Sequence, residues 1–300
     1  MAESAATHRA GRLAEEARRE RWLAGQLRIW RRKPVGLAAF FVVIVLVLLA
    51  IFSPALQTHD PVLNSLSSVL TAPSSEHWFG TDPNGRDVYS RVVAGARVSI
   101  TIGFLAVIVG ISAGLTIGMM SGYFGGGGDY AIQRVTDAIM SIPGLILLLA
   151  IVSVLEPNLY TIIFALCIFI MPTTIRVVRG EVIVSKEREY VHAARAMGAQ
   201  PLRLMLRHIL PNVMAPILIL ASVAVGQAIL LEASLGFLGL GVPPPDPTWG
   251  NMLSGSNRRY MAEAPWIVAA PGLAITLTVL AFNMFGDALR DVLDPRLRGR

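Results

Sequence analysis

Six long apolar runs divide this chain, and charged residues almost never interrupt them. The runs are Gly36–Leu56, Val98–Met120, Ala138–Leu155, Leu159–Ile175, Val213–Leu231 and Pro265–Phe285. Each approaches the roughly 17–25 residues that cross a bilayer as a helix. The pattern therefore predicts an all-α polytopic membrane protein with six transmembrane helices. A buried or re-entrant helix is the alternative for the shorter runs, Leu159–Ile175 above all.

The polar stretches between the runs set the predicted organisation. In chain order it comprises an N-terminal tail (1–33), a first span with an external segment (34–97), a five-helix core (98–290) and a C-terminal tail (291–300). The core contains a cytoplasmic loop, residues 181–211, and an external loop, residues 241–264. The N-terminal tail mixes Trp and Leu with Arg and Lys, a composition typical of segments that lie at the lipid headgroups.

Basic residues gather on one side of the predicted bundle. With the N-terminus inside, the inner segments hold 21 of the 26 Lys and Arg residues. Cytoplasmic segments of membrane proteins carry such an excess, so both termini are predicted to be cytoplasmic. Charged residues make up only 15% of the chain and hydrophobic residues 54%, whereas about 25% charge is usual in soluble domains. Because the basic residues follow membrane topology, no nucleic-acid partner is expected.

A polar island separates the fourth and fifth predicted spans. Its first part, Glu189–Met197, is predicted to form a short helix that ends at Gly198, since glycine favours the left-handed conformation of helix ends. Ala193 and Ala194 precede this glycine. They give the helix a surface without large side chains, on which another protein could rest closely. A loop that merely connects two spans is the alternative.

Two external stretches have the chemistry of ordered loops. Residues 82–85 read Asp-Pro-Asn-Gly, a turn by residue type, and beyond it Asp87 and Arg91 are spaced to pair on one helical face. Residues 243–247 contain four prolines, which exclude a regular helix there. A solvated external helix is the simpler interpretation of the first stretch.

Polar residues in or beside the spans are candidates for a translocation pathway or gate: Asp137, Gln227, Glu232 and Asn283. An acid at mid-bilayer costs about 2.5–3.5 kcal/mol on insertion scales, so an intramembrane carboxylate indicates function by default. Glu232 lies near the outer end of its span, where that cost is smaller. Asp137 is three residues from Arg134, and a helix-end ion pair is its alternative role.

Catalytic chemistry is not predicted. No group of His, Cys, Asp and Glu has metal-ligand spacing, Cys167 is alone, and both Walker patterns and the common hydrolase motifs are missing. No catalytic residue, metal or cofactor is therefore expected on this chain. Its energy must come from a partner or from an ion gradient.

The polar island resembles the EAA loop of ABC importer permeases, which reads Glu-Ala-Ala, three residues, Gly, nine residues, then Ile-x-Leu-Pro. The match comprises Ala193, Ala194, Gly198, Leu210 and Pro211, whereas His192 replaces Glu and His208 replaces Ile. In that family the loop docks on a separate ATPase. The resemblance therefore implies an ATPase-coupling role for Glu189, His192, Ala193, Ala194, Arg195, Gly198, Ala199, Leu210 and Pro211.

Three further stretches are similar to the dipeptide/oligopeptide (DppC/OppC-type) subgroup of these permeases. Residues 77–91 match His-x-Phe-Gly-Thr-Asp-x-x-Gly-Arg-Asp-x-x-Ser-Arg, residues 245–250 match Pro-x-Pro-x-Trp-Gly, and residues 294–296 match the Asp-Pro-Arg ending. The resemblance implies residues that face an external binding protein, namely Asp82, Arg86, Asp87, Arg91, Asp246 and Trp249.

The resemblance implies the transmembrane domain of a type I ABC importer in the bacterial inner membrane. This chain would form half of a pathway for di- or oligopeptides or similar small solutes. Its partners would be membrane lipid, a homologous second permease, two ATPase subunits that bind ATP and Mg, and an external solute-binding protein. The subgroup also takes glutathione and nickel, so the substrate stays open. A self-sufficient ion-driven carrier or channel is the alternative, and it predicts several charges deep in the spans.

Overall fold

The computed structural model describes residues 34–293, and its regular structure there is helical apart from one bridge between Thr81 and Asp87. The predicted N-terminal tail, most of the C-terminal tail and the Asp-Pro-Arg ending lie outside the described residues. The eight principal helices are α1 Pro34–Ile51, α2 Val88–Phe124, α3 Gly126–Met140, α4 Gly144–Leu155, α5 Leu159–Lys186, α6 Glu189–Ala196, α7 Leu210–Phe237 and α8 Trp266–Leu293.

Short helical turns complete the architecture in the described residues. They are Ser53–Leu56, Leu66–Ser68, Pro201–Arg203, the π-helical segment Leu204–Ile209, Asn251–Leu253 and Ser256–Arg259. Residues 201–237 form one helical stretch of 37 residues, long and apolar enough to cross a membrane. The same holds for α1, α2, α5 and α8.

Helices α2 and α5 pack closely and run parallel. A glycine stripe on α2, with one glycine every fourth residue, faces α5: Gly110, Gly114, Gly118 and Gly122. Going along this stripe, the neighbours on α5 advance from Cys167 to Val182, so the two helices point the same way. Small residues allow such an approach in lipid, where van der Waals packing drives helix association.

The chain returns across the bundle between these two parallel helices through a broken span. Helices α3 and α4 meet at 92°, so the predicted span over Ala138–Leu155 is broken rather than one continuous helix. Pro143 explains the break, because proline lacks the N–H that an interior helical position needs and disfavours helix in the residue before it. Pro157, just after α4, borders the same cavity as Arg91 at the start of α2. Together α3 and α4 therefore run from one face of the bundle to the other, and with the five long helices they bring the number of crossings in the described chain to six.

The remaining helices alternate in direction. Gly103 of α2 contacts Ile229 of α7, Gly226 of α7 contacts Phe282 of α8, and Phe40 of α1 stacks on Phe285 at 5.7 Å. The start of α1 and the end of α8 consequently lie at the face of the bundle that also holds α6. The re-entrant alternative for Leu159–Ile175 is wrong, because this run lies inside the 28-residue helix α5.

The glycine stripe leads to a stability prediction. A Cβ at Gly118 would lie 2.8 Å from the Ile175 carbonyl oxygen, whereas a Cβ at Gly180 of α5 meets nothing within 4 Å. We expect Gly118→Ala to destabilise the purified protein by about 1–3 kcal/mol through overpacking. Gly180→Ala should be neutral or stabilising by up to about 1 kcal/mol. Thermal unfolding in detergent measures both, and equal melting of the two variants would contradict close α2–α5 packing.

Candidate functional site

Helix α6 lies beside the bundle rather than within it, at the face shared by the two ends of the described chain. Val191 and Ala194 form its buried side, with 0% and 4% of their surface exposed. The residues of its open side are Glu189, His192, Ala193, Arg195 and Ala196. The spacing of Val191 and Ala194 puts them on one helical face. A short amphipathic helix is thus held by two small apolar contacts and presents a polar, alanine-containing surface.

The end of α6 has the predicted glycine geometry. Gly198 has a φ of +84°, and its N–H donates to the Arg195 carbonyl at 2.9 Å while Ala199 N–H donates to the Ala194 carbonyl at 3.1 Å. Non-glycine residues rarely adopt this φ. The left-handed conformation predicted at Gly198 is therefore confirmed. The helix itself ends at Ala196, one residue before the predicted end at Met197.

Polar contacts fix α6 to the base of α7. Asn212 Nδ2 donates to the Tyr190 hydroxyl at 3.0 Å and to the His208 carbonyl at 2.8 Å. Between the two helices, Leu204 and Ile209 of the π-helical segment are buried. Leu210 is half-buried and Pro211 is exposed. Of the predicted coupling residues, Ala194 and Leu210 hold the segment in place, and the exposed ones define its outer surface.

An ion pair that the sequence analysis missed lies at the same face. Arg179 of α5 donates to both carboxylate oxygens of Asp129 at 2.6 Å, and Ser121 Oγ donates to Oδ1 at 2.5 Å. The pair ties the first turn of α3 to α5 and to the end of α2. Partners fifty residues apart in sequence give no local signal, because only the parallel packing of α2 and α5 brings them together.

The four predicted pathway residues are not brought together within the described chain. Asp137 is exposed at the inner end of the bundle and pairs with Arg176 at 2.6 Å and with Arg134 at 3.8 Å. Gln227 is exposed on α7, and Asn283 is half-buried on α8. Their role in a pathway stays a prediction.

Glu232 lies at the opposite end and is fully buried. Its surroundings include the hydroxyls of Ser99 and Thr248, but neither carboxylate oxygen has a hydrogen-bond partner among the described residues. A buried polar group without a partner is costly. In this conformation Glu232 lies behind the 241–254 loop rather than on an open surface, and its predicted role as a gate is untested.

Beyond α1, residues 57–87 of the predicted external segment form a cap, here called the external cap, that covers the start of α2. Asp82 is its centre: its carboxylate accepts from Arg86 Nε at 2.7 Å and lies 3.7 Å from Arg91 Nε. The predicted turn also forms, since Asn84 N–H donates to Asp82 Oδ1 at 2.8 Å. Thr81 Oγ1 donates to the Ser68 carbonyl within the same cap.

The predicted ion pair between Asp87 and Arg91 is wrong. Asp87 instead caps α2, where it accepts from the Ser90 N–H at 2.8 Å, and its other oxygen lies 3.0 Å from His77 Nδ1. Arg91 turns to Asp82 and donates to the Pro61 carbonyl at 2.8 Å. The helix begins at Val88, so Asp87 is at the capping position, where a carboxylate satisfies free N–H groups.

The second external loop is anchored by a tryptophan. Trp249 is 1% exposed, and its indole N–H donates to the Val92 carbonyl at 2.9 Å. Asp246 is exposed on the same loop. Among the residues predicted to face a binding protein, Asp82, Asp87, Arg91 and Trp249 are therefore buried in the cap and loop, the Arg86 side chain is 15% exposed, and Asp246 is exposed. Contact with such a protein stays a prediction.

Comparison with known proteins agrees with this helical arrangement. Residues 114–299 match the family model described as "Binding-protein-dependent transport system inner membrane component". The chain belongs to this family. The resemblance to ABC importer permeases predicted from its motifs is confirmed, as is the prediction of a multi-pass protein of the bacterial inner membrane.

Relatives of this inner membrane component share most of its length. It is 42% identical over 268 residues to the dipeptide transport system permease protein DppC of Alkalihalophilus pseudofirmus, covering 89% of this chain and 88% of the relative. It is 40% identical over 273 residues to the glutathione transport system permease protein GsiD of Pectobacterium atrosepticum, covering 90% of each.

A solved structure of the MetNI methionine ABC transporter in inward-facing conformations has a similar fold. The TM-score is 0.56 at 18% identity, over 68% of this inner membrane component and 96% of that chain. The predicted transmembrane fold of an ABC importer is thereby confirmed.

The external cap leads to a prediction about its central carboxylate. We expect Asp82→Asn to destabilise the cap by about 3–5 kcal/mol, because it leaves the buried Arg91 without an anion. Asp246→Asn on the exposed loop should change stability by no more than about 0.5 kcal/mol. Limited proteolysis of the purified protein reports on cleavage within residues 57–87, and equal protection of both variants would contradict the role of Asp82.

Proposed function

We propose that this chain is one permease subunit of an ATP-driven importer for di- or oligopeptides or similar small solutes. It forms half of the translocation pathway and couples to a separate ATPase through α6 and the segment that follows, residues 197–211. The observation that carries the proposal is the position of α6. This short helix stands outside the apolar bundle, on the face of both described chain ends, with its alanine-containing side open.

The construction of α6 suits docking. Ala193 is exposed and has no side chain beyond Cβ, so a partner can approach the helix backbone closely. His192 and Glu187 lie 3.5 Å apart at its edge, and Arg195 is exposed. Such a surface offers a flat centre with polar groups around it, in keeping with the polar rim of protein interfaces.

Nucleotide chemistry belongs to the partners in this proposal. The chain has no phosphate-binding loop of the Walker type, so ATP and Mg would bind to two ATPase subunits. Closure of those subunits shifts this chain between conformations only through differential contacts at the docking surface. The rigid attachment of α6 to the base of α7 supplies a path for that shift.

The exposed polar groups of α7 and α8 support the proposal that this chain forms half of the translocation pathway. Gln227 of α7 and Thr276 of α8 are exposed, and a mostly apolar groove of about 490 Å³ beside these helices includes Ser234 and Gly272 in its lining. Polar side chains in membrane helices face a protein interior or water rather than lipid. A second, homologous permease against this surface would cover them and complete the pathway.

The names of the relatives support the proposed substrate class, because dipeptides and glutathione are both short peptides. Delivery by an external solute-binding protein fits the ordered cap and loop, where Arg86 and Asp246 reach the surface. The buried residues of the cap would then shape the docking surface without touching the binding protein.

The proposed orientation leads to a labelling prediction. In a Cys167→Ala background, we expect Asp246→Cys to react with a membrane-impermeant maleimide on intact spheroplasts, since it is exposed on the outer loop. Ala193→Cys should react only after permeabilisation, because the distribution of basic residues predicts a cytoplasmic position for α6. The reverse pattern of labelling would overturn the proposed topology.

Gly198 provides the test of coupling. Valine at a φ of +84° is strained by about 1–2 kcal/mol, whereas asparagine tolerates this conformation. In proteoliposomes with the partner subunits, Gly198→Val should lower uptake per ATP hydrolysed by roughly tenfold, the ratio that about 1.4 kcal/mol gives.

Gly198→Asn is the matched control and should retain coupling. A Cβ at this position meets nothing within 4 Å in this chain, so steric collapse of the bundle does not explain a loss. Normal coupling in Gly198→Val, with the ATPase bound, would reject the proposed role of this segment.

A further inference from the structure

The external cap contains a cluster of ligand-bearing side chains that the proposed transport function does not use. One ring nitrogen of His59, one of His77 and a carboxylate oxygen of Glu76 lie within 4.8 Å of one another. His59 and His77 are eighteen positions apart, so sequence spacing gives no metal-ligand signal. The fold of the cap brings them together.

The imidazole of His77 is held in a fixed orientation. Its Nδ1 lies 3.0 Å from Asp87 Oδ1, and 12% of its side chain is exposed. An N–H on Nδ1 satisfies this carboxylate and leaves the Nε2 lone pair free. Metal-binding histidines commonly have such a carboxylate partner, which sets the tautomer and raises the basicity of the other nitrogen.

The imidazole of His59 lies beside that of His77, with ring centroids 4.8 Å apart and planes inclined by 38°. Its Nδ1 is 3.1 Å from Thr58 Oγ1 and 4.0 Å from Asp87 Oδ2. The same carboxylate thus lies close to both rings. Asp87 is itself fixed, because it caps α2 and is 2% exposed.

Space and access are available at the cluster. His59, Glu76, His77 and Asp87 border a cavity of about 530 Å³, and Glu76 is exposed at its rim. A cation could enter from the external side. The exposed carboxylate can move toward a bound ion, whereas the two rings are already close to each other.

We propose that His59, His77 and Glu76 form a binding site for a divalent transition-metal ion, best suited to Zn²⁺. Two imidazoles and a carboxylate are a ligand set that Zn²⁺ accepts, with nitrogen distances of about 2.0–2.1 Å and tetrahedral geometry. Imidazole also suits copper and nickel, whereas calcium and magnesium prefer sites made of oxygen. Three protein ligands leave the fourth position for water.

The bound ion would join two parts of the cap. His59 follows α1 closely, and Glu76 and His77 precede the turn that leads into α2. A metal ion bridging them closes this loop over the Asp87 cap. Because an ion that binds only the folded cap stabilises it by mass action, Zn²⁺ is expected to raise the melting temperature of the protein and protect residues 57–87 from proteolysis.

Metal titration of the purified full-length chain in detergent tests the site. Zn²⁺ competition with a chromophoric chelator should give one site per chain. We expect His59→Ala to weaken Zn²⁺ binding by more than the 10–100-fold that loss of an outer-sphere partner causes, and Glu76→Gln to weaken it as well. His208→Gln removes an imidazole at the opposite end of the bundle and should leave affinity unchanged.

If a variant is unstable, Co²⁺ substitution and X-ray absorption on the unaltered protein still test the site. The unaltered protein should show tetrahedral Co²⁺ absorption bands and scattering from two imidazole ligands. Equal Zn²⁺ affinity in His59→Ala and the unaltered protein would overturn the site. An octahedral, all-oxygen Co²⁺ spectrum would also overturn it, as would loss of affinity in His208→Gln equal to that in His59→Ala.

Discussion

The close parallel contact between α2 and α5 determines the arrangement of the other helices. Four glycines on one face of α2 let α5 approach at backbone distance. Two parallel helices in one chain need an intervening return, and α3 with α4 supplies it as a bent pair. That return in turn places Asp129 where Arg179 can reach it. The packing of the face on which α6 rests therefore depends on glycine at these four positions, where a side chain would push α2 and α5 apart.

The external cap is organised by carboxylates rather than by apolar packing. Asp82 contacts two arginines, Arg86 and Arg91, whereas Asp87 caps α2 and contacts His77. Most of these buried groups are held by specific hydrogen bonds, and Arg91 is held by its bond to the Pro61 carbonyl and by its charge contact with Asp82. The cap thereby fixes the entry of the chain into α2. The surface of the cap is therefore held in place by residues that are mostly buried beneath it.

Local chemistry predicted the helices well and their long-range contacts poorly. Apolar length gave α1, α2, α5, α7 and α8, and glycine chemistry gave the end of α6. Proline favours a break at Pro143, but the size of the bend, 92°, depends on neighbouring helices that periodicity does not reveal. The partners of Asp87 and Arg91 were missed for the same reason. Helical spacing predicted that Asp87 and Arg91 pair with each other, whereas the fold brings groups from residues 58–82 closer to both side chains.

The stretch from Pro201 to Phe237 is 37 residues long, which corresponds to about 55 Å of helix. The apolar part of a bilayer is only about 30 Å thick. About 25 Å of the stretch therefore extends beyond the apolar layer, and its end near Gly236 borders the same cavity as Pro243, Pro244 and Pro245. Two features interrupt its regular α-helical hydrogen bonding: the wider π-helical turn at residues 204–209, and Pro216, which has no N–H to donate. At these two places the stretch is least constrained by its own backbone.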